Sequence, residues 1–209
     1  MSRMIRFAAL AAVSIAAGCA ASHGPATRGV PFDGEPLSAG AVAPAQITPL
    51  DVQDVRVSFL PGLKVSEANR YYPLADIVWR GDPIGDRFQQ IHAIVSDAMA
   101  RGVSPLNEGR AAVADVQITR FHCLTEKTRY SVGGTHSIKF NLTVRDAETG
   151  QVIDGPREVD ASFPGLGGEA AIAADRMGQT QKVRITDQLA YVILQELGGA
   201  PQPVAVASN

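Results

Sequence analysis

At 209 residues, with 19 lysines and arginines against 21 acidic residues, the chain is long enough for one domain plus tails and is close to charge balance. An apolar share of 45% excludes a fully disordered chain, and beyond the first segment no apolar run approaches the ~20 residues that a spanning helix needs. The balanced charge also excludes a typical nucleic-acid binder.

The first segment reads as a targeting sequence. Arg3 and Arg6 form a basic start, residues 7–17 form an apolar run too short to span, and the small residues Ala16-Ala17-Gly18-Cys19 follow. This resembles the lipobox of bacterial lipoproteins, in which a small residue precedes a cysteine, although the family prefers leucine where this chain has Ala16. The resemblance implies lipidation of Cys19 by a diacylglyceryl group, signal cleavage between Gly18 and Cys19, and N-acylation, commonly by palmitate, of the new terminus. Two or three acyl chains anchor a protein stably where one does not. Ala20 stands where aspartate would signal inner-membrane retention, so for a Gram-negative source the resemblance implies the periplasmic face of the outer membrane. The residues alone leave open an ordinary secretory signal cut near Ala20 or Ala21. Losing Arg3 and Arg6 from the 19 basic residues leaves 17 against 21 acidic ones, a net charge of −4.

If Cys19 is lipidated, Cys123 is alone and no internal disulfide forms. The reading is a buried, inert thiol, with a reactive thiol or an intermolecular disulfide as the alternatives. Residues 20–49, rich in Pro, Gly, Ala and Ser, read as a flexible tether behind Cys19, and His23 within it as inert. A coil of about 30 residues has an end-to-end distance on the order of 30 Å.

Folding is expected to begin near Leu50. Val55, Val57 and Phe59 alternate with Arg56 and Ser58, the mark of a half-buried strand, and Pro61-Gly62 ends it. Residues 65–72 predict a single helical turn before Pro73. Residues 75–79 predict a short strand, after which Gly81 permits a turn, Asp82 caps a helix and Pro83 occupies its first position. Ile84, Phe88, Ile91, Val95 and Ala98 then form one apolar stripe, with Arg87 off it and Gly102 as the stop. Asp82, Asp86 and Arg87, with Arg80 and Trp79 nearby, could form a charged site at the helix start. Each also has a structural use, as cap, dipole complement, solvated face or core filler, and that reading leads. His92 reads as a helix-flank residue. The string YYPLADIVWRGDPxGDR over residues 71–87 resembles a family of small proteobacterial envelope lipoproteins of unknown function. That likeness covers most of the chain after the tether and implies no activity, cofactor or catalytic residue.

Residues 114–124 and 135–145 predict two long strands. In the first, Val116 and Ile118 lie on one parity and Phe121 and Cys123 on the other, which requires either two covered faces or a bulge near Arg120. A hairpin centred on Arg129, with a floppy end over residues 126–134, sets Val116 against Leu142 and Ile118 against Phe140. The same register sets His122 opposite His136. Two histidines fall short of the three or four ligands zinc needs, and His122 and Cys123 point to opposite faces. Asp146 to Gly150 predicts a hairpin turn, followed by strands at 151–154 and 158–163 interrupted at Pro156. The glycine-rich run 164–168 could cradle phosphate but lacks a P-loop ending and reads as a hinge. Residues 180–197 predict a closing helix with Val183, Leu189, Ala190, Ile193 and Leu197 on one face, ended by Gly198 and Gly199.

The expected architecture is α+β: an antiparallel sheet of about four strands with two main helices on one face, a two-layer sandwich. The expected division is a signal peptide at 1–18, the lipidated cysteine and tether at 19–49, one domain at 50–199 and a disordered tail at 200–209. No GxSxG, HExxH, CxxC or clustered carboxylates appear, so no catalytic residue, cofactor or metal is assigned. The reading is a non-catalytic, membrane-anchored envelope lipoprotein presenting an interaction domain to a protein or envelope polymer, with no nucleic-acid partner. Its alternatives are a small-molecule or lipid carrier, and an enzyme with a dispersed site near His122 and His136.

Overall fold

In the computed structural model, residues 49–198 are described; the signal peptide, Gly18, Cys19, residues 20–48 of the tether and the tail at 200–209 lie outside them. The elements run β1 (Leu50–Phe59), β2 (Ile77–Val78), α1 (Arg87–Val103), β3 (Arg110–His122), α2 (Glu126–Arg129), β4 (Gly134–Asp146), β5 (Val152–Asp160), β6 (Phe163–Gly165), α3 (Gly168–Arg176) and α4 (Gln181–Leu197). The sheet has six strands in the order β1-β3-β4-β5, with β2 also paired to β3 and β6 to β4.

The fold is α+β, but the sheet is not purely antiparallel as expected. β1 and β2 both run parallel to β3, whereas β3-β4, β4-β5 and β4-β6 are antiparallel. The physical reason is α1. A strand that returns through a helix re-enters the sheet from its starting end, and the strand after it then runs parallel.

One face of the sheet is apolar. Val116, Ile118, Phe140 and Leu142 from it join Ile91, Ala98 and Met99 of α1 and Ile185, Leu189 and Ile193 of α4 in a single core. The other face carries Asp115, Gln117, Asn141, Thr143 and Arg145. The predicted register holds at Val116↔Leu142 and Ile118↔Phe140, and the bulge falls between Ile118 and Arg120, at Thr119. That extra residue switches the parity, so Phe121 and Cys123 enter the same core.

The two long helices touch at Gly102. A Cβ there would lie 2.3 Å from a methyl of Ile193 and 2.4 Å from the Ala190 carbonyl, so the glycine sets how closely α1 and α4 approach. It lies inside α1 rather than ending it. Thr180 caps α4 by accepting from the Val183 N–H.

Four local expectations are corrected. α1 is capped by Asp86, which accepts from the Gln89 N–H, and not by Asp82. Asp82 is occupied by the Trp79 indole N–H (2.9 Å) and the Lys182 ammonium (2.9 Å), and Gly85 interrupts the turn that an earlier start would need. Ile84 therefore precedes the helix and is exposed. No helical turn forms at 65–72; Val65 makes a bridge to Ile77 instead. The connection after β3 contains α2, capped by Thr125, in place of a floppy end. The strands expected on either side of Pro156 are one strand, β5, at the sheet edge, and Pro156 falls at its bulge as expected, where Gly155 and Pro156 together stand opposite Thr143.

Candidate functional site

The segment between β1 and α1 carries little regular structure, and side chains hold it. The Lys64 carbonyl accepts from the Asp76 and Ile77 N–H groups (3.0 and 2.9 Å), and the Asp76 carboxylate accepts from the Lys64 N–H (2.9 Å), which closes a loop. Its far side is fastened to α2: Thr125 donates to the Arg70 carbonyl (2.7 Å), Thr128 to the Tyr71 carbonyl (2.8 Å), and the Lys127 N–H to Asn69 (2.9 Å). At its base Arg87, only 4% exposed, pairs with both oxygens of Glu67 (2.6 and 2.8 Å) and donates to the Pro83 carbonyl and Gln90. Arg80 pairs with Glu126. The Arg87 hydrogen bond holds the Glu67 carboxyl below its usual range.

The charged group anticipated at the helix start is therefore part of this scaffold. Arg87 is buried and not on a solvated face, Arg80 and Asp82 are both paired, and Trp79 is fully buried. Gly81 packs against that indole, where a Cβ would lie 2.3 Å from the ring, so close approach and not a left-handed turn calls for glycine. His92 stays on the exposed flank of α1, near Ser96.

The scaffold holds Tyr71, Tyr72 and Leu74 outward, at 55%, 62% and 92% exposure. Backbone fixed by this many hydrogen bonds presents apolar side chains with little ordering cost left to bear on binding. The Tyr72 ring stacks on His122, with centroids 4.6 Å apart and planes 22° from parallel. Arg120 donates to the Tyr72 hydroxyl (2.9 Å) and to Ser137 (3.0 Å). On one side of Tyr72 lies a hollow of about 400 Å³ lined by Tyr71, His122, Thr128, Val132 and Ser137. On its other side a shallower one of about 300 Å³ is lined by Lys64, Leu74, Asp76 and Arg120. Both hollows open to solvent; Cys123 and Leu124 also line the larger, while Trp79, Phe121, Phe140 and Leu189 are fully enclosed.

The two histidines do not meet as predicted. The bulge moves the register by one, so His122 stands opposite Ser137, and His136 projects from the other face against Phe163 (4.9 Å). His136 is buried with Nδ1 unpartnered, and burial, aided by Arg184 and Arg129, pushes its pKa down to about 4. Burial also lowers that of His122, whose Nδ1 lies 3.0 Å from the Ala75 carbonyl. Among the described residues no three His, Cys, Asp or Glu side chains converge as a metal site. Cys123 is enclosed, and burial pushes its thiol well above the usual range. The glycine-rich run is packed rather than open: Phe163–Gly165 pairs with β4, and a Cβ on Gly167 would lie 2.3 Å from the Gly133 nitrogen.

Sequence reasoning missed the tyrosine surface. The pair Tyr71-Tyr72 beside Pro73, outside any apolar period, was the available signal.

Fold and surface together define a mixed α+β domain with a rigid, exposed aromatic end. The chain belongs to a family of unknown function, DUF6778, whose model matches residues 50–208. A comparison with curated proteins finds no match. Among solved structures the chain is similar to one described as "a putative lipoprotein from Caulobacter crescentus CB15", at 14% identity over 70% of this chain and 93% of that one, with a TM-score of 0.34. It is also similar to a DUF330 protein from Xanthomonas campestris, at 13% identity over 74% of this chain and 86% of that one, with a TM-score of 0.42. Likenesses this distant assign nothing to this chain.

Proposed function

We propose that this chain is a non-catalytic envelope lipoprotein, held through Cys19 at the periplasmic face of the outer membrane, whose domain binds a protein partner through its tyrosine end. One observation carries the reading: Tyr71, Tyr72 and Leu74 are exposed on a loop that hydrogen bonds and ion pairs hold in place. Isolated exposed apolar residues are ordinary, but a grouped and preorganised set marks an interaction surface. Open hollows over a filled core favour this reading over a lipid or small-molecule carrier, and the separation of His122 from His136 removes the geometry on which the dispersed-site enzyme rested.

The test is in-cell photo-crosslinking from position 74, with position 152 at the opposite end of the sheet as the control, followed by mass spectrometry of the adducts. Protein adducts at 74 and not at 152 are the expected result; lipid alone, or no adduct, would overturn the reading. For the lipid attachment, Cys19→Ser should move the protein out of the membrane fraction, and its retention there would refute the lipid assignment.

A further inference from the structure

We infer that the hollow behind Tyr72 receives one tyrosine or tryptophan side chain carried by an acidic segment of a partner protein. This rests on the partner-binding reading above and adds the chemistry of the partner.

The hollow has the character of a hot-spot pocket. Its walls are the Tyr72 ring, Val132, Leu124 and the backbone at Gly133 and Gly134, and His122 lies among them. Thr135 also lines it, as do Thr128 and Ser137, whose hydroxyls are engaged with the Tyr71 carbonyl and Arg120. A mainly apolar hollow of about 400 Å³ with a directed polar group suits a single large side chain that is apolar along its body and polar at its tip.

His122 supplies the directed group. A carbonyl can only accept, so the 3.0 Å contact with the Ala75 oxygen places the imidazole proton on Nδ1 and leaves Nε2 a bare acceptor. The Arg120 guanidinium also comes within 3.2 Å of Nδ1 and can only donate, so the two neighbours ask for opposite tautomers, and the shorter contact, to the Ala75 carbonyl, decides for the proton on Nδ1. Nε2 has no hydrogen-bond partner among the described residues, and it is not one of the sealed, unpartnered polar atoms. A tyrosine O–H or a tryptophan N–H can meet it; leucine and phenylalanine cannot.

Charge selects the rest of the segment. Lys64 and Arg120 line the smaller hollow beside Tyr72 and Lys127 sits over the Tyr71 ring, and among the described residues none of the three is paired with a carboxylate. The nearby Glu67 and Glu126 are already taken by Arg87 and Arg80, which leaves Asp76 as the opposing charge. Acidic residues flanking the aromatic would complement this rim.

The path of the chain favours a protein over the bilayer that holds it. Pro49 and Gly198 line one hollow with Leu106, at the Arg110 end of β3, while His122 closes its other end. A strand of 13 residues spans about 40 Å, so both ends of the described chain leave from the side opposite the tyrosines.

The test is selection of a random peptide display library on the full chain, followed by affinity measurement of the enriched peptides. Enriched peptides should share a tryptophan or tyrosine flanked by Asp or Glu. Their affinity should fall about tenfold or more on Tyr72→Ala and on His122→Phe, and also when phenylalanine replaces the aromatic residue of the peptide. Tyr72 is largely exposed, so Tyr72→Ala should keep the wild-type unfolding midpoint and separates lost binding from lost folding. No enrichment, peptides with leucine or basic flanks, or binding kept by both variants would overturn the inference. If position 74 still captures protein in cells, only the chemistry assigned to the hollow is wrong; if it captures none, the partner-binding reading falls as well.

Discussion

Acidifying this protein from about pH 7 to about pH 4.5 should destabilise it by about 2 kcal/mol through His136 alone. Buried on β4 against Phe163, His136 has its pKa pushed down to about 4, first by burial and then by the Arg184 and Arg129 charges. In the unfolded chain it returns to about 6.5. Below that value the unfolded state binds a proton that the folded state refuses, so stability is whole above about pH 6.5 and is lost as the pH falls toward about 4. The full difference of roughly 2.5 pKa units corresponds to about 3 kcal/mol, most of it already lost at about pH 4.5. The assay is urea unfolding of the wild type and His136→Phe at both pH values. The variant keeps an aromatic ring beside Phe163 and removes the unpartnered Nδ1. His122 and the carboxylates titrate in both proteins, so the difference between them isolates His136. Equal acid losses in the two proteins would refute the reasoning, and His136→Leu repeats the comparison if the phenylalanine packs poorly.

Three further outcomes are expected. Gly102→Ala should cost about 1–3 kcal/mol, because its Cβ would meet Ile193 and the Ala190 carbonyl and push α1 from α4; a thermal melt reads this, and an unchanged midpoint would show that the helices part freely. Arg87→Leu should cost about 2 kcal/mol in urea unfolding, since it removes charge-assisted hydrogen bonds to Glu67 and the donor to the Pro83 carbonyl. The same change should free the tyrosine loop, seen as faster amide exchange at residues 67–76. Cys123 should react with a thiol reagent only as the domain unfolds, because the thiol is enclosed and burial suppresses its thiolate; rapid labelling of the native protein would contradict its placement in the core.

Much of the architecture was legible because local patterning survives into the folded state. The alternation from Ile138 to Val144 marks β4, and the parity change between Ile118 and Phe121 allows either two covered faces or a bulge, of which the structure has the bulge, at Thr119. The direction of β1 was missed, although the signal was present: a strand, a long helix and a strand in succession imply a parallel return. Capping chemistry fits Asp82 and Asp86 equally, so the sequence does not separate them as the N-cap of α1. The indole of Trp79 and the ammonium of Lys182, the latter 100 residues away, decided between them. Helical spacing points Arg87 to a solvated face because it cannot anticipate the Glu67 carboxylate arriving from another segment.

The candidate surface divides in the same way. The sequence by itself determined the α+β class, the alternation of β4, the closing helix, and the lipobox resemblance at Cys19, since each rests on neighbours in the chain or on short periods. Only the tertiary structure decided that Tyr71, Tyr72 and Leu74 stand exposed, that His122 lies beneath Tyr72 rather than across from His136, and that cations gather there unpaired. Those properties arise where β2, α2 and the loop before α1 converge, and hydrogen bonds between residues more than fifty positions apart create them.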